Sequence, residues 1–209
     1  MGILVVSGDP TGKGKVNELL SLIAEHTSDG VDFISLKDYD IGYCRGCFGC
    51  VDDNQCVVQD DWTQIGDKVK EADTLVLGIP TYYGAAFGIN ALMHSFLERW
   101  FSLRHKGIKL NLKKVILVIV SGGEHEDKAA SYLQTFFQMY HGIDEKNIEV
   151  ISARGSIPCL VCGEGETCPV SFVIQMMGEG VKITEDMIPT IKDQPEIIER
   201  SKNICRGAL

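Results

Sequence analysis

Short runs of consecutive apolar residues alternate along the chain with longer segments whose apolar positions recur every three or four residues. The runs are ILVV (3–6), VDFISL (31–36), TLVLGIP (74–80), KVILVIV (114–120) and IEVISA (148–153). Between them lie VNELLSLIAEH (16–26), WTQIGDKVKEA (62–72), INALMHSFLERW (89–100) and KAASYLQTFFQMY (128–140), all of helical period. Strands apolar on both faces imply a parallel sheet covered by helices on each side. Right-handed crossovers make such a sheet doubly wound, and five strands favour the order 2-1-3-4-5. A ligand crevice then falls at the carboxyl ends of the first, third and fourth strands. After residue 153 the alternation stops: RGSIPCLVCGEGETCPVS is rich in Gly, Pro and Cys. Helical period returns only in TEDMIPTIKDQPEIIERSKNIC, where Pro195 suits a first helical turn.

Length and charge narrow the picture. A chain of 209 residues can bury a core without disulfide staples, so its eight cysteines read better as metal ligands or redox groups. The segment MGILVVSGDP has neither the basic stretch nor the long apolar run of a signal peptide, and the longest apolar run, VILVIV (115–120), is far short of a bilayer span. The expectation is a cytoplasmic protein without membrane association. Lys and Arg total 20 against 29 Asp and Glu, and the resulting charge of −9 repels nucleic acid phosphates.

Three loops meet at the expected crevice. The first, Gly8, Asp9, Pro10, Thr11, Gly12, Lys13, Gly14, Lys15 and Val16, runs from a strand into a helix, where backbone N–H groups and a helix N-terminus can cradle a phosphate. Its glycine spacing is neither that of a Walker A loop nor G-x-G-x-x-G, which argues against a nucleoside triphosphatase or a dinucleotide loop; a flexible turn with solvated lysines is the plain alternative. The second, Pro80, Thr81, Tyr82, Tyr83 and Gly84, sets aromatic rings beside a glycine, an arrangement suited to a flat heteroaromatic ligand. The third offers N–H donors at Ser121, Gly122 and Gly123, able to stabilise negative charge on a reduced ring.

Cys44, Cys47, Cys50 and Cys56 form C-x2-C-x2-C-x5-C. A cubane needs four thiolates converging from different directions, which a tight loop delivers better than a helix, on which Cys44 and Cys50 would stand about 240° apart. Gly46 and Gly49 are expected to supply positive-φ turns. Zinc is the main rival, although zinc ribbons usually use two separated C-x2-C knuckles; uncoordinated or catalytic thiols remain a third option. Beyond this loop, Asp61 and Gln64 read as a helix capping box. Cys159, Cys162 and Cys168, with Cys205 as a possible fourth ligand, read as a second metal site, a redox dithiol or unpaired loop thiols.

Taken together, these residues resemble the flavodoxin-like FMN-binding reductases, in particular their iron-sulfur flavoprotein branch. Gly8, Pro10 and Gly14 match the family's phosphate loop, Pro80, Tyr82 and Gly84 its P-x-Y-x-G segment against the isoalloxazine, and the four clustered cysteines its compact [4Fe-4S] motif. The resemblance implies a flavodoxin-like FMN-binding domain over 1–155, with a cluster loop at 43–56, and a C-terminal extension of the same domain over 156–209. It further implies an oxidoreductase passing electrons between NAD(P)H or a redox partner, FMN and the cluster. Homodimers or homotetramers, in which one protomer's cluster approaches another's FMN, are implied as well. The chain departs from the pattern at Asp9, where the family has Ser, at Thr11, often Arg, and at Lys15-Val16, where it has Asn-Thr. A carboxylate repels a phosphate and two side-chain donors are gone, while Lys13 and Lys15 can supply compensating charge. His125 is a candidate for the flavin edge, with a solvated loop histidine as the plainer reading. Two other readings stand beside this one: an electron carrier without its own substrate, and a zinc-stabilised interaction protein on a degenerate flavodoxin fold.

Overall fold

The computed structural model describes residues 2–27, 30–83, 88–123 and 126–205. Five strands and six α-helices follow one another as β1 (Ile3–Ser7), α1 (Lys15–Glu25), β2 (Val31–Ser35), α2 (Trp62–Glu71), β3 (Thr74–Pro80), α3 (Ala91–Arg99), β4 (Lys114–Ser121), α4 (Glu126–Thr135), β5 (Ile148–Arg154), α5 (Phe172–Met177) and α6 (Pro195–Asn203). The strands form one sheet, all parallel, in the order β2-β1-β3-β4-β5. Strand and helix positions expected from periodicity agree with these to within a few residues at each end.

The period of two explains how one sheet sustains two cores. In β1, Ile3 and Val5 face one side while Leu4 and Val6 face the other, all at most 3% exposed. The first side is covered by α1 through Val16, Leu19, Leu20 and Ile23, and α6 joins it with Ile197 and Ile198, followed just past its end by Ile204 and Cys205. The other side is covered by α2, α3 and α4, where Trp62, Ile65, Met93, Phe96 and Leu133 close over Leu4, Leu77 and Leu117. Trp100, just past α3, is fully buried and stacks edge-on with Phe96 at 5.9 Å; truncating such an aromatic typically costs about 3–5 kcal/mol. The two edge strands depart from burial on both faces: Asp32 and Phe33 are exposed in β2, and Glu149, Val150 and Ser152 of β5 are only half-buried.

Several local expectations need correction. The capping box at Asp61 and Gln64 does not form: Asp61 holds helical angles, φ −68° and ψ −8°, and caps no amide. Asp60 takes the role, its Oδ1 accepting the Trp62 N–H at 3.1 Å, while Asp61 Oδ2 accepts from the Asp40 amide. The expected helix at 128–140 ends at Thr135 and continues as a π-helical turn, Phe136–Tyr140. Helix α5, directly after the Gly- and Cys-rich stretch, is an element the periodicity does not show; Ser171 caps it by accepting the Ile174 N–H. Among the described residues no helix is long and apolar enough to cross a membrane.

Candidate functional site

The loops after β1 and β3 meet at the carboxyl edge of the sheet, around a cleft of about 410 Å³ lined by Pro10, Tyr82, Tyr83, Asn90, Leu92 and His94. A volume of this order lies within the range of small-ligand and cofactor pockets. Tyr82 is 44% exposed and Tyr83 79%, so both rings present faces to the cleft mouth instead of filling the core. Tyr83 adopts φ +51°, a conformation uncommon for a non-glycine residue. Asn90, which the sequence reading missed, fixes the cleft floor: its Oδ1 caps α3 by accepting the Met93 N–H, and its Nδ2 donates to the Gly8 carbonyl at 2.6 Å. An Asn directly before an apolar helical segment is the signal that could have found it. Pro80 ends β3, and the Thr81 N–H continues the sheet ladder to the Val120 carbonyl. Gly84 and His125 lie outside the described residues.

Within the loop 8–14 the side chains answer the backbone. Asp9 is only 4% exposed; its Oδ1 accepts from Thr11 N and Thr11 Oγ1 at 2.9 and 2.8 Å, and its Oδ2 from Gly14 N at 2.6 Å. The Lys13 N–H donates to Thr11 Oγ1, and Lys15 reaches Ser156 Oγ at 3.1 Å. Gly12 takes φ +70°. Val16 turns its side chain into the core, 3% exposed, so it serves α1 packing and not the cleft. On the far side, Ser121 is buried and its Oγ accepts the Gly123 N–H at 3.4 Å, while Gly122 packs against Ser156 and Ile157. The ring end of the cleft thus fits a flat aromatic group. At the phosphate end, two of the amides a phosphate would use are already engaged by Asp9.

The four clustered cysteines line one pocket, together with Phe48, Arg99 and Phe101. Burial pushes the Cys50 thiol above its ordinary value, a backbone hydrogen bond opposes this, and the neighbouring Cys56, Cys44 and Cys47 push it further up. Such mutual repulsion among thiolates is what a bound cation relieves. The space they enclose is small, about 10 Å³, and among the described residues no group of three or more Cys, His, Asp or Glu side chains stands in metal-binding geometry. The donor set suits a four-thiolate centre, and the loop must widen to take one. Gly46 adopts φ +60° as expected, but Gly49 does not have positive φ; Phe48 and Asn54 do, at +58° each. Gly49 is needed for close approach, since a Cβ there would meet Val57 at 2.8 Å.

What holds this loop comes from α3 and the segment beyond it. Arg99, 1% exposed, donates through Nη2 to Asp60 Oδ1 at 3.0 Å and through Nη1 to Asp60 Oδ2 and the Gly42 carbonyl. Burial works against the charge of Arg99, but Asp60 and the charge of Cys56 hold its pKa above the ordinary value. Burial also opposes the Asp60 charge, yet the hydrogen bonds from Arg99 and from the Gly42 and Trp62 amides keep its carboxyl below the usual range. Arg99 Nε is buried without a hydrogen-bond partner, beside the cysteine pocket. Asn54 Oδ1 accepts the His105 N–H at 2.7 Å, and His105 Nε2 lies 3.2 Å from Cys50 Sγ with its ring edge-on to Phe101. The Cys44 N–H points to Glu98 Oε2 at 3.3 Å. None of these supports was picked out from the sequence. Arg99 carried a signal, a charge three residues after Phe96 on the buried stripe of α3.

The remaining cysteines do not assemble. All eight are free thiols. Cys205 is buried near Thr27, Lys114 and Glu149, where β4 and β5 begin. Cys159, Cys162 and Cys168 follow β5 and so belong to the other end of the sheet, which removes Cys205 as their fourth ligand.

Residues 1–155 match the family model described as NADPH-dependent FMN reductase, and the chain belongs to that family. Several of its curated relatives are iron-sulfur flavoproteins. An iron-sulfur flavoprotein of Methanocaldococcus jannaschii is 36% identical over 108 residues, covering 50% of this chain and 54% of that protein. The match thus spans about half the length of that relative. An iron-sulfur flavoprotein of Archaeoglobus fulgidus is 23% identical over 212 residues, covering 97% of this chain and 100% of that one. Among solved structures, an NAD(P)H:quinone oxidoreductase from Methanothermobacter marburgensis superposes with a TM-score of 0.60 at 14% identity, covering 98% and 96% of the two chains, and shares the fold.

Proposed function

We propose that the chain is an FMN-dependent oxidoreductase that passes electrons between a nicotinamide donor or a redox partner, FMN, and a [4Fe-4S] cluster held by Cys44, Cys47, Cys50 and Cys56. The observation that carries this reading is the gathering of those four sulfurs on one pocket, in a chain of the FMN reductase family. When bound, FMN supplies the exchange between two-electron and one-electron chemistry, and the cluster supplies single-electron transfer. The protein's own part is position and electrostatics. Tyr82 and Tyr83 wall the ring and Asn90 fixes the floor; the turn Ser121 to Gly123 at the end of β4 would supply N–H donors for the negative charge gathered on reduction, once the Gly123 N–H is released from Ser121 Oγ. Arg99 places a buried positive charge against the cysteine pocket, which favours added negative charge there.

The cleft and the cysteine pocket stand at opposite ends of α3, with Asn90 at one and Arg99 at the other. Nine residues of helix separate them by about 13 Å along the axis. This arrangement accords with a homodimer or homotetramer in which the cluster loop of one protomer faces the cleft of another. The setting is cytoplasmic, with small-molecule or protein donors and acceptors and neither nucleic acid nor membrane as partner.

Anaerobic titration of the full chain with NADPH, followed by absorption spectroscopy, tests the reading. Two resolved flavin bands over a broad shoulder, all bleaching at a catalytic rate, are expected. Bleaching only after a redox protein is added would instead indicate an electron carrier, and a spectrum with neither feature would contradict the proposal.

A further inference from the structure

Much of the loop between β1 and α1 is hydrogen-bonded without a ligand, although no side chain caps the first amides of α1. Asp9 turns its buried carboxylate inward, and its two oxygens take three donors: Thr11 N, Thr11 Oγ1 and Gly14 N, all within 2.9 Å. The Thr11 hydroxyl in turn accepts the Lys13 N–H at 3.1 Å. The Asp9 N–H is itself spent on Ser7 Oγ, and Pro10 has no N–H to give. Gly14 is fitted to this carboxylate, because a Cβ at that position would lie 2.5 Å from Asp9 Oδ2. Lys15, whose charge could offset an added anion, is directed to Ser156. A carboxylate on loop amides at the start of a helix takes part of the donor set that would otherwise hold a phosphate.

We propose that Asp9 is an internal anion standing in the cradle for the flavin's phosphate, so that this chain holds the flavin chiefly by its ring and discriminates little between FMN and phosphate-free riboflavin. The inference rests on the flavin reading above and specifies which flavin chemistry the site selects. To enter, a phosphate must displace Asp9 from the Thr11 and Gly14 amides and then lie beside its charge. The ring contacts at Tyr82, Tyr83 and Asn90 are the same for both flavins.

The test titrates the full chain, freed of flavin, with FMN and with riboflavin, following flavin fluorescence in wild type, Asp9→Ser and Asp9→Asn. Wild type is expected to bind the two flavins within about threefold of each other, because the charged hydrogen bonds that would favour FMN are already made. Asp9→Ser frees two amides and removes the repulsion, so FMN binding should tighten on the order of 10- to 100-fold while riboflavin changes by less than about threefold. Asp9→Asn, which removes the charge and keeps the size, should gain less. Inorganic phosphate should compete with FMN in Asp9→Ser and not in wild type. A wild-type preference for FMN on the order of 100-fold would overturn the proposal without recourse to any variant. So would folded variants, checked by thermal melts, that gain no FMN affinity. Failure of all three folded chains to bind either flavin overturns the flavin reading itself, and this inference with it.

Discussion

The loop after β1 and the loop after β2 occupy similar places in the fold but are stabilised in opposite ways. In the first, beyond the anchoring of Gly8 by Gly78 and Asn90, the backbone finds its partners nearby: Asp9 binds Thr11 and Gly14, and Asn17 Nδ2 at the start of α1 reaches the Gly12 carbonyl. In the second, the partners come from far along the chain. Arg99 grips Gly42 and Asp60, Asn54 receives the His105 amide, and Lys106 reaches Asp52. The sulfurs of the second loop share one pocket, while two amides of the first are already engaged by Asp9. A segment that is satisfied locally presents little to a ligand. One that is braced from outside can keep like groups together at the cost of their mutual repulsion, which a metal centre would then relieve.

The largest effects are expected where the cysteine loop is broken. Cys50→Ser should reduce iron and sulfide in the purified chain to near background, with flavin binding retained; retention of both would undo the assignment of the loop. Next comes its outside brace. Arg99→Met leaves Asp60 buried and unpaired, and breaking a buried pair in this way typically costs about 3–5 kcal/mol, measurable by urea denaturation. Adding Asp60→Asn should recover part of the loss. By contrast, Thr11→Val in the first loop removes one hydroxyl from the Asp9 network and should cost about 1 kcal/mol. A similar cost at both sites would erase the distinction between the loops.

Acid provides a finer probe. The Asp60 carboxyl is held below the usual carboxylate range, so its contribution to stability is present above its unfolded value near pH ~4 and is lost as pH falls through the folded value. Asp60→Asn should therefore flatten the stability profile at the acid end. His141 marks a separate window: burial, with a smaller effect from Arg104, lowers its pKa to about 4. The unfolded chain binds that proton first, so stability should decline from pH ~6.5 to ~4 by up to about 3 kcal/mol, in Asp60→Asn as in wild type. The smallest effect belongs to the cleft, where Tyr82→Ala should weaken flavin binding by about 1 kcal/mol, read by equilibrium titration, with no change in iron content.

How far the sequence was legible follows the same division. Strand order and the two cores could be read because the alternation in ILVV and KVILVIV fixes which side chains face each layer. That Cys44, Cys47, Cys50 and Cys56 share one pocket could be read because their spacing is local. Arg99, His105 and Asn54 could not, since their partners lie dozens of residues away and only the folded chain brings them together. Asp9 was read as a repulsive departure from the family's loop; that it binds the amides of that loop depends on backbone geometry invisible in composition. The capping role went to Asp60 and not its neighbour because Arg99 and the Gly42 and Trp62 amides converge on Asp60.

Iron, sulfide and zinc measured together on the full chain, purified without oxygen, address the four-thiolate centre most directly. The account predicts about four iron and four sulfide per chain with zinc near background, all lost in Cys50→Ser. Zinc at about one per chain with no sulfide, or iron that survives the substitution, would contradict it.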